Sequence, residues 1–322
     1  MTARRFWRVT GRAWLALSVV LVGWSSPSWA NLPFAGQHYP NGAEDFVVGA
    51  LPPPGVYLKT YMAYFQKDRL MGDEGEKLPL DLDVSMPVVV PRLIWVTPWK
   101  LFGASVATQA FFPMYSADVE SDALGIDSSS SGLGDIIFTP IALGWHFGPN
   151  FHVILAEDMF IPTGNYDKKE PASQILSKNH WTFESVLAVN YLWKGFDFSA
   201  KFMYDINTKN DEYVLGTPGG PVEGTLKPGQ EFHVDWAVSY ARSEGLRFGL
   251  SGYSYWQVSE DNFDGGGLDI DGDKGEAHAI GPTIKYWPNM GRFSVVVKHQ
   301  WEFGAKNLPE GQTTWVNVVW VF

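Results

Sequence analysis

The chain has 322 residues, with 15% aromatics, 33 Gly, no Cys and a formal net charge of −11. Without cysteine there can be no disulfide, thiolate nucleophile, Cys-ligated zinc or lipoprotein anchor. The first thirty residues hold four arginines and no acid, which leaves about −15 on the remainder, so the basic footprint demanded by nucleic-acid phosphates is missing and no nucleic-acid partner is expected.

Arg4, Arg5, Arg8 and Arg12 precede an apolar run from Ala13 to Gly23 and then Ser28-Trp29-Ala30, a small-x-small cleavage pattern. This order predicts a secretory signal over residues 1–30 and a mature chain starting at Asn31. The apolar run falls short of the ~20 residues that span a bilayer as a helix. No later segment has eighteen unbroken apolar residues, so any membrane crossing must be made by strands.

Residues 31–55 contain five prolines, three of them consecutive at Pro52-Pro53-Pro54, and show no periodicity. Proline donates no ladder hydrogen bond, so this stretch reads as an irregular segment ahead of the sheet. From Val56 the pattern becomes aromatic-rich alternation. It predicts twelve strands, at 56–65, 82–97, 100–112, 134–147, 150–162, 180–193, 195–207, 231–242, 245–258, 277–287, 291–303 and 313–322. The alternation is cleanest where Phe196, Phe198, Ala200, Phe202, Tyr204 and Ile206 face away from Asp197, Ser199, Lys201, Met203, Asp205 and Asn207.

Links after the even-numbered strands are short, as in Thr97-Pro98-Trp99-Lys100 and Trp193-Lys194-Gly195-Phe196, and those after the odd-numbered strands are longer and polar. An all-β, transmembrane antiparallel barrel of about twelve strands has this asymmetry, with short periplasmic turns, here six long extracellular loops, and both termini periplasmic. Trp95, Trp99, Trp145, Trp181, Trp193, Trp256, Trp287, Trp301 and Trp320 cluster near strand ends, where interfacial girdles are expected. The last stretch, Thr313 to Phe322, alternates Val316, Val318, Trp320 and Phe322 against Thr313, Trp315, Asn317 and Val319. As the final strand it is expected to pair with residues 56–65, and Trp320 with the terminal Phe322 resembles the signal read by the outer-membrane assembly machinery.

Catalytic patterns are sparse. His38, His146, His152, His180, His233, His278 and His299 are scattered, with no H-E-x-x-H and no G-x-S-x-G. Twelve strands is also the architecture of an outer-membrane phospholipase, and His233 with Asp235 shares an inward face that Ser199 or Ser251 could approach. A lipid-acting barrel enzyme is therefore one alternative, and a structural or adhesive barrel using its acidic loops is another. In the loop 261–276, Asp269, Asp271 and Asp273 open like a calcium loop, but Lys274 stands where the turn glycine belongs and Ile280 where the bidentate Glu belongs. A solvated loop tip, a looser Ca²⁺ site and cation bridging to lipopolysaccharide are all open there.

The inward face is expected to be small and apolar at Gly103, Ser105, Ala107, Gln109, Ile136, Phe138, Pro140, Ala142 and Gly144. It is expected to be polar at Lys201, Asp205, His233, Asp235, Arg247, Tyr253, Tyr255, Lys298, Gln300 and Glu302. A general porin wants a fully wet lumen, whereas this mixture suits a hydrophobic or aromatic solute.

His38-Tyr39-Pro40-Asn41-Gly42-Ala43-Glu44-Asp45, the run Gly49 to Gly55, Gly132-Leu133-Gly134-Asp135 and the run Pro140 to Trp145 resemble the outer-membrane family associated with meta-pathway degradation of phenol. The resemblance covers essentially the whole chain after residue 30. It implies an outer-membrane barrel that carries aromatic or other hydrophobic compounds inward, without a cofactor. The plan is also similar to that of long-chain fatty-acid channels, whose longer amino-terminal segment plugs the lumen. By that analogy residues 31–55 fold inside the periplasmic end of the barrel formed by 56–322 and gate it, with His38, Glu44 and Asp45 pairing inward Lys or Arg. The reading is a passive, non-enzymatic channel in a Gram-negative outer membrane, contacting lipopolysaccharide and the assembly machinery.

Overall fold

The alternation that begins at Val56 is realised as antiparallel strands whose inner side chains are buried and whose outer ones are apolar. The computed structural model describes residues 37–217, 220–288 and 292–322. The expected signal segment, its cleavage site and residues 31–36 lie outside the described residues. In chain order the strands are β1 (Gly55–Leu70), β2 (Asp83–Leu101), β3 (Ala104–Phe111), β4 (Met114–Ser121), β5 (Ile126–Leu133), β6 (Ile136–Phe147) and β7 (Phe151–Ile161). A one-turn helix, α1 (Ser173–Leu176), precedes β8 (Thr182–Trp193), β9 (Phe196–Asn207), β10 (Asn210–Thr217), β11 (Gly220–Lys227), β12 (Glu231–Ser243) and β13 (Leu246–Gln257). The rest are β14 (Asn262–Gly265), β15 (Leu268–Asp271), β16 (Glu276–Tyr286), β17 (Phe293–Lys306) and β18 (Pro309–Val321).

Twelve of these form the barrel, in the order β1-β2-β3-β6-β7-β8-β9-β12-β13-β16-β17-β18, and β18 returns to β1. The closing register runs from Tyr57↔Val321 through Met62↔Val316 to Leu70↔Pro309, and the Phe322 amide donates to the Val56 carbonyl at 3.2 Å. Closure matters because lipid offers no hydrogen bonds, so an open edge would leave a row of unsatisfied amides and carbonyls. On the outer face Trp95, Trp99, Trp193 and Trp320 stand exposed toward the short-turn end, and Trp181 and Trp301 toward the long-loop end. Trp320 stacks on Phe293 with ring centroids 6.3 Å apart.

Three features differ from the sequence reading. The long connections are largely folded: β4 and β5 form a hairpin that extends β2, while β10, β11, β14 and β15 build a separate four-stranded sheet around Tyr213, Leu215, Leu226 and Phe263. The expected loop between the last two strands is only Asn307-Leu308, because β17 and β18 continue past their predicted ends; five connections are long, not six. The first short turn lies at Phe102-Gly103, both with positive φ, instead of at Thr97–Lys100. There Pro98 is absorbed by a register shift of β2, and the Thr97 hydroxyl donates to the Val106 carbonyl at 2.9 Å.

A bulge in β6 corrects three lumen assignments. Between Phe138 and Ala142 the strand carries one residue more than both neighbours, at the point where Pro140 cannot donate a ladder bond. The bulge switches parity, so Ile137, Thr139, Ala142 and Gly144 point inward, whereas Ile136 and Pro140 do not. Phe138 is 37% exposed on the outer, lipid-facing wall.

Candidate functional site

The interior of the barrel is occupied by residues 37–52, and the inward side chains of the wall hold them. Asp235 on β12 is the main anchor: it accepts the Tyr39 hydroxyl at 2.9 Å, the Gly42 amide at 2.8 Å and the Glu44 amide at 3.0 Å. Gly42 takes φ +81°, and a Cβ there would lie 2.4 Å from the Gln300 side chain, so the turn requires glycine. Lys298 on β17, three strands round the wall, donates to the carbonyls of Gly42 and Glu44. The segment is thereby tied through its backbone, which any sequence with this turn would present in the same way.

Its acids are neutralised in turn. Glu44 accepts Lys59 at 2.8 Å, Arg92 at 2.9 Å and the Tyr61 hydroxyl at 3.0 Å. Asp45 lies 3.3 Å from Lys59 and 3.8 Å from Lys285. The expected pairing with inward cations is what Glu44 and Asp45 make. His38 departs from it: the ring bonds Asp135 and Thr182, each at 2.7 Å, and stacks on Phe160. Asp135 also accepts the amides of Gly164 and Lys178 and the Ser177 hydroxyl, so it joins His38 to the long connection ahead of β8.

The segment also lies higher than expected. Gln37 donates its amide to Glu231 at the long-loop end of β12, while Val47 bonds Asp197 and Tyr57 bonds the Pro53 carbonyl toward the short turns. It thus runs along the barrel axis through the middle. An amino terminus on the short-turn side falls outside the described residues.

Gly103, anticipated on the inner face, instead stands exposed in the turn between β2 and β3, because that turn needs its positive φ; the remaining anticipated interior residues are buried or half-buried inside. Lys201 lies 3.3 Å from Glu184 and 4.3 Å from the Tyr39 ring centroid. His233 faces Asp205 and Glu184, and its ring is 5.1 Å from Tyr39. Arg247 donates to Ser239, Tyr255 packs near His233, and Tyr253 donates to Glu302, which also pairs with Lys67. Ser199 bonds Asp197 and Ser251 bonds Thr283, so neither candidate serine is joined to His233. Asp269 and Asp271 lie on β15 and both accept the Asn262 side-chain amide; among the described residues the three acids of the calcium-like loop form no convergent set. Lys59, Arg92, Glu184 and Tyr39 were not anticipated. A single Arg in the otherwise apolar inward series Val88, Val90, Arg92 and Ile94 was the available signal for one of them.

Among the described residues, three cavities lie against the segment. One of about 140 Å³ lies on the long-loop side, walled by Phe65, Met86, Tyr115, Ile137, Phe160 and Leu176 among others. One of about 240 Å³ lies on the short-turn side, between Val47–Pro52 and a wall that includes Ile94, Ala142, Ile154 and Val186. A constriction of about 20 Å³ lies between Tyr39, Ala43 and Glu44 and the apolar wall Val88, Val90, Phe111 and Ile137. It shares Tyr39, Tyr115 and Ile137 with the first cavity and Glu44 with the second. The constriction is therefore walled mainly by apolar side chains, and the short-turn cavity by apolar and charged ones together.

A closed twelve-stranded sheet with an apolar outer wall, aromatic girdles and an occupied interior defines an outer-membrane β-barrel. More particularly, the chain belongs to the family described as "Putative MetA-pathway of phenol degradation", whose model matches residues 67–318. The fold is similar to that of an outer-membrane channel from Pseudomonas putida F1, at 17% identity and TM-score 0.74, covering 87% of this chain and 99% of that one. The Neisseria meningitidis NalP translocator domain (9% identity, TM-score 0.48, 85% and 91% covered) and the Pseudomonas putida toluene transporter TodX (8%, 0.45, 89% and 95%) are more loosely similar. No curated protein matches the chain.

Proposed function

We propose that the protein is a passive outer-membrane channel for small hydrophobic or aromatic compounds, with residues 37–52 as its gate. The observation that carries this reading is the chain of cavities along the segment, narrowed at an apolar constriction where Tyr39 and Ala43 face Val88 and Phe111. An apolar surface lets a solute shed water without needing polar partners, while the charged side chains of the lumen hold the gate. The family description and the outer-membrane channel with the same fold point the same way. The assembly machinery would read Trp320 and Phe322, and lipopolysaccharide would meet the loop sheet.

Filling the constriction tests it. Val88→Trp should lower uptake of a labelled monoaromatic by cells several-fold, with the amount of folded barrel unchanged. Uptake equal to that of the parent protein would remove the apolar track as the route.

A further inference from the structure

Next to the gate the barrel wall carries a row of acids that its own hydrogen bonds do not satisfy. Glu184 on β8 is directly opposite Asp205 on β9, and Asp205 is directly opposite Glu231 on β12. Like charges so placed repel, and burial strengthens the repulsion. Glu231 is used: it accepts the Gln37 amide at 3.0 and 3.1 Å and the Asn207 side-chain amide at 3.3 Å. Glu184 and Asp205 are 0% and 1% exposed, and Glu184 Oε2 and Asp205 Oδ1 have no hydrogen-bond partner, nor has His233 Nδ1. Lys201, 3.3 Å from Glu184 Oε1, supplies a single positive charge.

The spacing of the remaining atoms is informative. His233 Nε2 lies 3.3 Å from Asp205 Oδ2 and 3.6 Å from Glu184 Oε2. Charge-assisted imidazole–carboxylate bonds are shorter, roughly 2.7–2.9 Å. Two ligands each about 2.0–2.1 Å from one tetrahedral ion are about 3.3–3.4 Å apart. One ligand atom from each of the three residues falls within a 4.8 Å set. We propose that Glu184, Asp205 and His233 hold a divalent cation of the zinc class inside the barrel, completed by water. An imidazole with two carboxylates suits Zn²⁺ better than Ca²⁺ or Mg²⁺, which take oxygen ligands in larger number. The ion would pin β8, β9 and β12 together behind Tyr39, the residue whose hydroxyl anchors the gate. The inference goes beyond the transport reading and does not depend on it.

The test is zinc binding by the chelator-washed full barrel in detergent, read as metal retained after gel filtration. A histidine pair elsewhere, His146 and His152 with Nδ1 atoms 2.7 Å apart near the short turns, serves as the control site. One equivalent should be retained, unaffected by His146→Ala with His152→Ala, and held about tenfold or more weakly in Asp205→Asn or Glu184→Gln. Should these variants fail to fold, Co²⁺ added to the unaltered protein should give the intense visible absorption of a four-coordinate ion. No retained zinc, retention lost only with His146 and His152, or the weak spectrum of six-coordinate Co²⁺ would each overturn the site.

Discussion

Tyr39 and Asp235 meet across the barrel interior, the phenol donating to Asp235 Oδ2 at 2.9 Å, and the same carboxylate accepts the amides of Gly42 and Glu44. One wall residue therefore fixes both ends of the tight turn that narrows the lumen. Burial makes each of these bonds costly to lose, at about 1–3 kcal/mol for a group left unsatisfied. Asp235→Ala should release the turn while the wall strands stay paired. In planar bilayers its single-channel conductance should rise several-fold, with the barrel still folded by its gel mobility; a conductance equal to the parent's would show that Asp235 does not hold the gate shut.

Glu44 sits between Lys59 and Arg92, both half-buried on the inner wall of β1 and β2. Glu44→Gln leaves those two cations without their shared partner in the lumen. Any ion current through the lumen should then favour anions, which a shift of reversal potential in a salt gradient would reveal. An unshifted potential would mean that ions do not pass this point.

The lipid face should be intolerant of charge where the interior is not. Leu187, midway along β8 and on the exposed face, is buried in hydrocarbon once the barrel is inserted. Leu187→Arg should cost about 2–4 kcal/mol, measured by reversible urea unfolding in lipid vesicles. A cost near zero would put this residue at the interface or in water.

Phe322 closes the barrel through its amide on Val56, yet the residue is 69% exposed. Deleting it should reduce the amount of protein reaching the outer membrane while uptake per assembled barrel stays the same. Normal assembly would count against a terminal recognition signal.

Much of this fold was legible in the chain because a strand that faces lipid on one side and a crowded lumen on the other must alternate. The alternation located all twelve wall strands and, through Lys201, Asp205, His233, Asp235, Lys298 and Glu302, most of the polar interior. It failed at Ile136, Phe138 and Pro140, because one extra residue beside Pro140 reverses the faces of β6 and simple alternation makes no allowance for a bulge, although the proline was its one local sign. It also passed over the strands in the long connections, which are polar and pair mainly with one another. The sequence by itself determined the strand number, the closure of the last strand on the first, and the exclusion of residues 37–52 from the sheet, since proline and period-two patterning are local properties. Only the tertiary structure decided that His38 meets Asp135 and not a cation, that Asp235 collects three donors from the segment, and that Glu184, Asp205 and His233 converge. Those contacts join residues from about 20 to 200 positions apart, and their partners are chosen by strand register and barrel closure.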